Sequence, residues 1–307
     1  MRRAFILAAV LAVIAGAAHA ETKIKIGYGP ASGWIPAFVA KDQGIFAKHG
    51  LDASLDFIAV GSNQPAAMMA GAIDVGALTP TILLFADEGG ADLMAIAGAV
   101  VQTKDHPFGA VVAREGSNIK APGDFRGKRV AVPGINSVMH IAFMKWLTDK
   151  GVDPKAVNFV ETPMPQMNDA MQAGQIDAAV PVEPFLGRMV QTKVGYVVSP
   201  FPADLAKPSY IDAFYGMTRK AIAADPGIVA AFRASIVEAT AWTAQHEPEA
   251  RKTQVTYLHL PEAVAMSVAL PNFTAEVTRP QMQFWIDTCK ELGLIKGTTK
   301  LDDLLAP

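Results

Sequence analysis

Two copies of one short phrase, Ala70-Gly71-Ala72-Ile73-Asp74 and Ala173-Gly174-Gln175-Ile176-Asp177, lie in the two halves of the chain. Each copy lies at nearly the same separation from the predicted strand that opens its half, near Ile24 in one half and Arg129 in the other. Alanine and glycine alone can match by chance, but the shared Ile-Asp pair and the shared spacing make chance a weaker explanation. The repeat therefore predicts two similar lobes.

The pattern around each copy indicates units in which strands and helices alternate. Apolar and polar residues alternate over residues 23–28, as in a half-buried strand. Apolar residues then recur at helical spacing as far as His49, and Gly50 follows as a helix stop. Such alternation predicts βαβ units and a parallel sheet. The predicted strands are residues 23–28, 55–60, 73–78, 129–133, 158–161 and 176–180, and the predicted helices are residues 35–49, 64–70, 80–87, 137–150, 166–173, 226–244 and 278–292.

Two further extended segments, residues 108–113 and 213–218, are interpreted as crossings between the lobes. The crossings divide the chain into parts that are not contiguous in sequence. The predicted organisation is a signal peptide at residues 1–20, a first lobe of residues 21–108 with 214–307, and a second lobe of residues 109–213.

The first twenty residues have the composition of a secretory signal peptide. Arg2 and Arg3 precede an apolar run, and Ala18-His19-Ala20 fits the small-x-small cleavage pattern. The run is short for a membrane span, which needs roughly 20 apolar residues. No cysteine lies near the cleavage site to accept a lipid. We therefore expect a periplasmic protein that is secreted through a cleaved signal peptide and has no membrane insertion.

Charge and cysteine content exclude several other classes of protein. Of the 307 residues, 27 are Lys or Arg and 29 are Asp or Glu, so the net charge is −2 at pH 7. A nucleic-acid-binding protein usually carries a basic patch, and none is present. Cys289 is the single cysteine, so the chain has no internal disulfide, and its place on the apolar face of a predicted helix suggests burial. The histidines are not at metal-ligand spacing, and we expect no metal and no cofactor.

Five segments carry a resemblance to a known family. They are residues 40–51 (AKDQGIFAKHGL), 69–76 (MAGAIDVG), 125–132 (FRGKRVAV), 173–178 (AGQIDA) with Glu183-Pro184, and 291–295 (ELGLI). These segments resemble the substrate-binding proteins of ABC transporters, in the branch for nitrate, sulfonate, taurine and thiamine-pyrimidine precursors. The resemblance covers nearly all of the chain after residue 20. Relatives often carry Trp before the Glu-Pro pair, where this chain has Val182.

The resemblance implies the fold and the partners. The fold is the type II periplasmic-binding fold, an α/β fold in which two lobes are joined by a hinge of crossover strands. The implied protein is a monomer and not an enzyme. It closes on a small-molecule ligand in the cleft and delivers that ligand to an ABC transporter permease.

Open α/β sheets bind their ligands at the carboxyl ends of their strands. Several predicted loops there lead into helix starts, where free backbone N–H groups attract anions and polar groups. These loops carry no Lys or Arg, so a small organic ligand with an anionic or polar end is favoured. The candidate ligand-binding residues are Ser32, Trp34, Ser62, Asn63, Thr79, Asn136, Ser137, Glu183 and Tyr215.

Each candidate also has a structural interpretation. Ser62, Thr79 and Ser137 are suited to cap helices. Trp34 and Tyr215 are suited to fill the lobe interface, and Glu183 to hold a loop. His140, among apolar neighbours, has the setting of a structural histidine. Two other function classes stay open: an exported enzyme on the same fold, either a lyase or a pyrimidine synthase, and a ligand sensor that docks a membrane receptor.

Overall fold

The computed structural model describes residues 21–307, so the predicted signal peptide lies outside the described residues. The strands form two five-stranded mixed sheets, each with helices packed around it. Sheet one has the order β2-β1-β3-β10-β4, and sheet two has the order β7-β6-β8-β5-β9. The strands are β1 (Thr22–Tyr28), β2 (Leu51–Phe57), β3 (Val75–Leu78), β4 (Leu93–Thr103), β5 (Val111–Arg114), β6 (Arg129–Val132), β7 (Asn158–Glu161), β8 (Ala178–Ala179), β9 (Gly195–Ser199) and β10 (Ser209–Thr218).

The helices alternate with the strands in both halves and dominate the C-terminal region. Short 3-10 turns precede some of them, at Ser32–Trp34 and Gly61–Asn63 among others. The helices are α1 (Ile35–Asp42), α2 (Ile45–Lys48), α3 (Gln64–Met69), α4 (Pro80–Glu88), α5 (Val138–Asp149), α6 (Met164–Gln172), α7 (Phe185–Gln191), α8 (Phe201–Leu205), α9 (Arg219–Ala224), α10 (Pro226–Gln245), α11 (Glu247–Tyr257), α12 (Glu262–Ser267), α13 (Arg279–Glu291) and α14 (Leu301–Leu304).

The repeated phrase has the same structural role in both halves. The Asp74 carboxylate accepts a hydrogen bond from the backbone N–H of Lys25 in β1 at 2.8 Å. The Asp177 carboxylate accepts from the backbone N–H of Arg129 in β6 at 3.0 Å. Before each aspartate, a glycine turns the chain in the left-handed region, with φ of 70° at Gly71 and 68° at Gly174. In each half, the aspartate therefore ties the start of a central strand to the neighbouring strand. The pairs are β3 with β1 and β8 with β6.

The expected alternation of strands and helices is present, with differences in extent. The predicted helix over residues 35–49 is two helices, because the chain leaves α1 after Asp42 and restarts at Ile45. The strand expected at residues 55–60 is β2, which begins at Leu51, where buried Leu51 and Ala53 alternate with exposed neighbours. Strand β4 was not predicted, because its near-continuous apolar sequence shows no alternation; it is buried along most of its length.

Both crossings between the sheets differ from the prediction, since residues 111–113 belong to β5 and the return crossing lies elsewhere. Residues 213–218 were expected to be a crossing, but they belong to β10, which pairs with both β3 and β4 in sheet one. The return crossing is instead residues 200–208, between β9 and β10. The outward crossing is residues 104–110, between β4 and β5, and it overlaps the predicted segment 108–113. The lobe limits given above remain a prediction.

Cys289 is fully buried in α13, and burial raises the pKa of its thiol to about 12, which agrees with a structural cysteine. Across residues 21–307, none of the helices combines the length and the apolar character that a membrane crossing requires.

Candidate ligand-binding site

A cavity of about 130 Å³ lies between the two sheets. The sheet-one wall is formed by the lining residues of the loops and helix starts after β1, β2 and β3, together with Val100, Asp212 and Ala213. The sheet-two wall is formed by the lining residues of the loop after β6 and the first turn of α5, together with Met164 and Val182. Phe108, on the outward crossing, lies at the junction of the two walls. The cavity is thus at the strand ends where the sequence predicted a ligand.

Three of the predicted residues lie on the sheet-one wall: Trp34, Ser62 and Thr79. Trp34 is buried, and its ring packs edge-on against Tyr215 with the ring centroids 5.5 Å apart. Thr79 is the N-cap residue of α4, but its side chain makes no capping hydrogen bond. Its hydroxyl lies 3.5 Å from that of Thr81. The Thr79 hydroxyl therefore makes one long hydrogen bond, to Thr81, and is not used to cap the helix.

Gln64 is a wall residue that the sequence reasoning did not single out. It starts α3 and is only 1% exposed. Its Oε1 accepts a hydrogen bond from the backbone N–H of Ala77 at 2.6 Å, while its Nε2 has no partner. A buried amide that lacks a partner costs free energy. Gln64 is thus a residue of the cavity lining whose Nε2 has no hydrogen-bond partner in the described structure.

Asp212 is the second wall residue that was not expected. In the pairing of β10 with β4, Ile211 pairs with Val101 and Ala213 pairs with Val100, so Asp212 is the extra residue of a β-bulge. Asp212 is 4% exposed. Burial raises the pKa of its carboxyl to about 7, although the adjacent Gln102 amide acts in the opposite direction. A carboxyl that titrates near neutrality therefore lies on the cavity wall.

Ser137 is the predicted ligand-binding residue that lies on the sheet-two wall. Its hydroxyl already makes a structural hydrogen bond. It caps α5 by accepting from the backbone N–H of His140 at 3.4 Å. His140 is buried, and its Nδ1 accepts from the backbone N–H of Asn136 at 2.9 Å. Burial lowers the pKa of His140 to about 4, so the ring is neutral at physiological pH. Asn136 does not line the cavity, and its backbone is left-handed with φ of 65°.

The other four predicted residues lie off the cavity wall. The Ser32 hydroxyl is buried and donates to Oε1 of Gln254 in α11 at 2.5 Å. Asn63 is exposed. The Glu183 carboxylate accepts from the backbone N–H of Gly187 at 3.0 Å, and burial raises its pKa. Tyr215 is fully buried between Trp34 and Phe232.

The backbone of the Ser32–Glu183 pair joins the two halves of the site. The N–H of Ser32, in the loop after β1, donates to the carbonyl oxygen of Glu183, which follows β8, at 3.3 Å. The loops of the two sheets therefore touch at the edge of the cavity.

One acidic and no basic side chain of the described residues lines the cavity. Asp212 is the one charged side chain that lines it, and no Lys, Arg or His does so among residues 21–307. The remaining polar side chains are hydroxyls, the Trp34 indole and the Gln64 amide. No group of three His, Cys, Asp or Glu in the described part of the chain is arranged to hold a metal ion.

The fold and the sequence both have relatives among known proteins. The alkanesulfonate-binding protein SsuA of Xanthomonas axonopodis pv. citri, solved with MOPS, superposes with a TM-score of 0.79 at 18% identity, covering 92% of this chain and 98% of that one. That likeness confirms the periplasmic-binding fold.

The nitrate import ATP-binding protein NrtC of Synechocystis sp. is 25% identical over 83% of this chain and 40% of its own length. The bicarbonate-binding protein CmpA of Synechococcus sp. is 24% identical over 78% of this chain and 58% of its own. The chain thus spans about half the length of these curated relatives.

The model of one protein family matches residues 17–258, which include both sheets and every residue that lines the cavity. CmpA and SsuA are named as binding proteins, and they belong to the branch that the sequence motifs indicated. The chain belongs to the NMT1-like family.

Proposed function

We propose that this protein is the periplasmic solute-binding component of an ABC importer, which captures a small organic ligand with a polar end and delivers it to the permease. The observation that carries the proposal is the cavity between the two sheets, with lining residues from both. A ligand there contacts both walls at once only when the lobes are closed, so binding favours closure.

The names of the relatives support the same role. CmpA is named for binding bicarbonate, and SsuA is named for binding alkanesulfonates. We propose that this chain likewise binds without chemical conversion, as a monomer, and that the closed form docks the permease. In support of binding alone, Asp212 is the one titratable side chain on the cavity wall of the described structure, so no acid–base pair converges there.

Thermal unfolding of residues 21–307 tests the proposal. The protein is first unfolded and refolded to remove any ligand that it carried through purification. It is then heated with organosulfonates, carboxylates, amines and pyrimidines. A true ligand at 1,000 times its Kd adds roughly 4 kcal/mol to the free energy of unfolding. A shift that the variant Val182→Trp loses locates binding in the cavity, whereas the absence of any shift with every compound class contradicts the proposal.

A further inference from the structure

We propose that Asp212 is the specificity-determining residue of the cavity, and that the ligand is an organic molecule that places a positively charged nitrogen on this carboxylate. The inference rests on the proposed function and specifies the chemistry of its ligand. It departs from the anions for which CmpA and SsuA are named.

The first support is the local backbone. A regular strand would keep Asp212 in the alternation of its neighbours, but the bulge between Ile211 and Ala213 inserts it as an unpaired residue. Bulges of this kind re-aim a side chain and are frequent next to binding sites. Val100 and Ala213, which flank the bulge, also line the cavity. The chain thus uses an irregularity of sheet one to bring a carboxylate to the wall.

The second support is the lack of a counter-charge. Burying a carboxylate without a cation is unfavourable, and such groups are normally paired. Asp212 forms no ion pair with any described residue, and the adjacent polar group is the neutral Gln102 amide. Tyr210, two residues away on the same strand, is also buried, and its pKa is raised well above the ordinary value, so it stays neutral. A cationic ligand would supply the charge that the protein lacks.

The third support is the unsatisfied amide of Gln64. Its Nε2 is buried without a partner, and it lies on the same wall as Asp212. An acceptor atom on the ligand, such as a ring nitrogen or a carbonyl oxygen, would satisfy it. The remaining wall is mostly apolar, with Trp34, Ile82 and Met139 among its members. The preferred ligand therefore combines a cationic nitrogen, one acceptor and an apolar body.

A small oxyanion fits this wall poorly. Nitrate, bicarbonate and a free sulfonate need cationic or several convergent N–H donors, whereas ionised Asp212 would repel them. The cavity wall offers no Lys, Arg or His side chain to compensate.

The test compares matched compounds on wild type, Asp212→Asn and the control Asp52→Asn, which removes an exposed carboxylate of β2. The panel consists of primary amines, protonated nitrogen heterocycles and quaternary ammonium compounds, the carboxylates and sulfonates of the same carbon skeletons, and nitrate and bicarbonate. Thermal shift identifies the compounds that bind, and calorimetry measures their Kd. We expect cationic compounds to bind wild type and Asp52→Asn equally, and to lose at least tenfold in affinity with Asp212→Asn.

The pH dependence supplies a second readout. A cation requires ionised Asp212, whose pKa is about 7 in the free protein, so wild-type affinity should fall about tenfold per pH unit below that value. Other titratable side chains do not line the described cavity, and Asp212→Asn should abolish the dependence.

Three outcomes overturn the inference, and they are distinguishable. Binding of anions with an unchanged Kd in Asp212→Asn leaves the proposed function standing and removes the role of Asp212. Binding of cations that Asp212→Asn does not weaken does the same. No binding by any class of compound contradicts the proposed function itself, and the inference with it.

Discussion

The two walls of the cavity differ in what they offer a ligand. The sheet-one wall carries Asp212, the free Nε2 of Gln64, the Thr79 hydroxyl and the Trp34 ring. The sheet-two wall is formed by apolar side chains and the Gly134 backbone, and its one hydroxyl, on Ser137, already caps a helix. Similar lobes, each fastened by the same Asp-to-strand hydrogen bond, therefore carry unequal chemistry.

The difference indicates that the two walls of the cavity contribute differently to ligand binding. Under the proposed function, directional contacts on one wall would select the ligand before closure. The apolar second wall would then cover the ligand without adding polar groups that need partners. Substitutions on the sheet-one wall should therefore change which ligand binds or how the wall folds. Substitutions on the sheet-two wall should change how well the cavity is filled.

The largest expected effect is that of Trp34→Ala. Trp34 is buried against Tyr215, and removing a buried aromatic ring costs about 3–5 kcal/mol of stability. Urea unfolding of the variant measures this loss. Ile135→Ala, on the sheet-two wall, is the matched control, since Ile135 is 47% exposed and should cost under ~1 kcal/mol. Equal losses at the two positions would contradict the division between the walls.

Asp212→Asn should stabilise the ligand-free protein above neutral pH. The pKa of Asp212 is raised from 3.8 to about 7 in the folded state, so folding favours its protonated form. The favourable contribution is complete below pH 3.8 and is lost as the pH rises through about 7. At roughly 1.36 kcal/mol per pKa unit, the variant should gain on the order of 4 kcal/mol over wild type at pH 8.

The measurement for Asp212→Asn is urea unfolding between pH 4 and pH 8. The difference from wild type should open across that window and then level off. Asp52→Asn, which alters an exposed position, should track wild type throughout. A difference that does not vary with pH would show that Asp212 is not buried as a titrating group.

Val182→Trp tests the sheet-two wall. Val182 lines the cavity, so a larger side chain there has open space to enter, and stability should change by under ~1 kcal/mol while ligand binding is lost. Val180→Trp is the control, because Val180 is fully buried and does not line the cavity. Inserting a larger side chain into such a core position typically costs about 1–3 kcal/mol. Retention of full ligand affinity by Val182→Trp would place binding elsewhere.

The smallest effects compare two helix starts. Ser137 accepts a capping hydrogen bond and Thr79 does not, so Ser137→Ala should cost about 1 kcal/mol and Thr79→Ala only a few tenths. Melting temperatures of the two ligand-free variants measure the difference. A larger loss in Thr79→Ala would show that its hydroxyl is structural and not free for a ligand.

The sequence predicted the fold closely because its signals are local. Each signal depends on the backbone conformation of neighbouring residues. The signals are the alternation in residues 23–28, the helix starts after strand ends and the repeated Ile-Asp phrase. Strand β10 was misread as a crossing because its partners, β3 and β4, lie more than a hundred residues earlier in the chain. Pairing between strands so far apart in sequence produces no periodic hydrophobic pattern within a window of ten residues.

The candidate site was predictable in part for a related reason. Trp34, Ser62, Thr79 and Ser137 lie at strand ends, where a general rule places ligands, and the structure brings them to one cavity. Asp212 and Gln64 were not foreseen. A lone carboxylate in an otherwise apolar stretch, Tyr210–Tyr215, was the available signal for Asp212, while the bulge that turns it inward depends on the register with β4.

The position of β10 in the sequence also affects the order in which the two sheets can form during synthesis. In sheet one, β4 pairs only with β10. Strand β10 begins at residue 209, so β4 is synthesised long before its partner. All strands of sheet two, by contrast, lie within residues 111–199. During N-to-C synthesis, sheet two can complete its hydrogen bonding before sheet one receives β10, the strand that joins β3 to β4. Chains that stop before residue 209 should therefore contain one finished sheet and one exposed apolar edge, and these truncated chains should aggregate through β4.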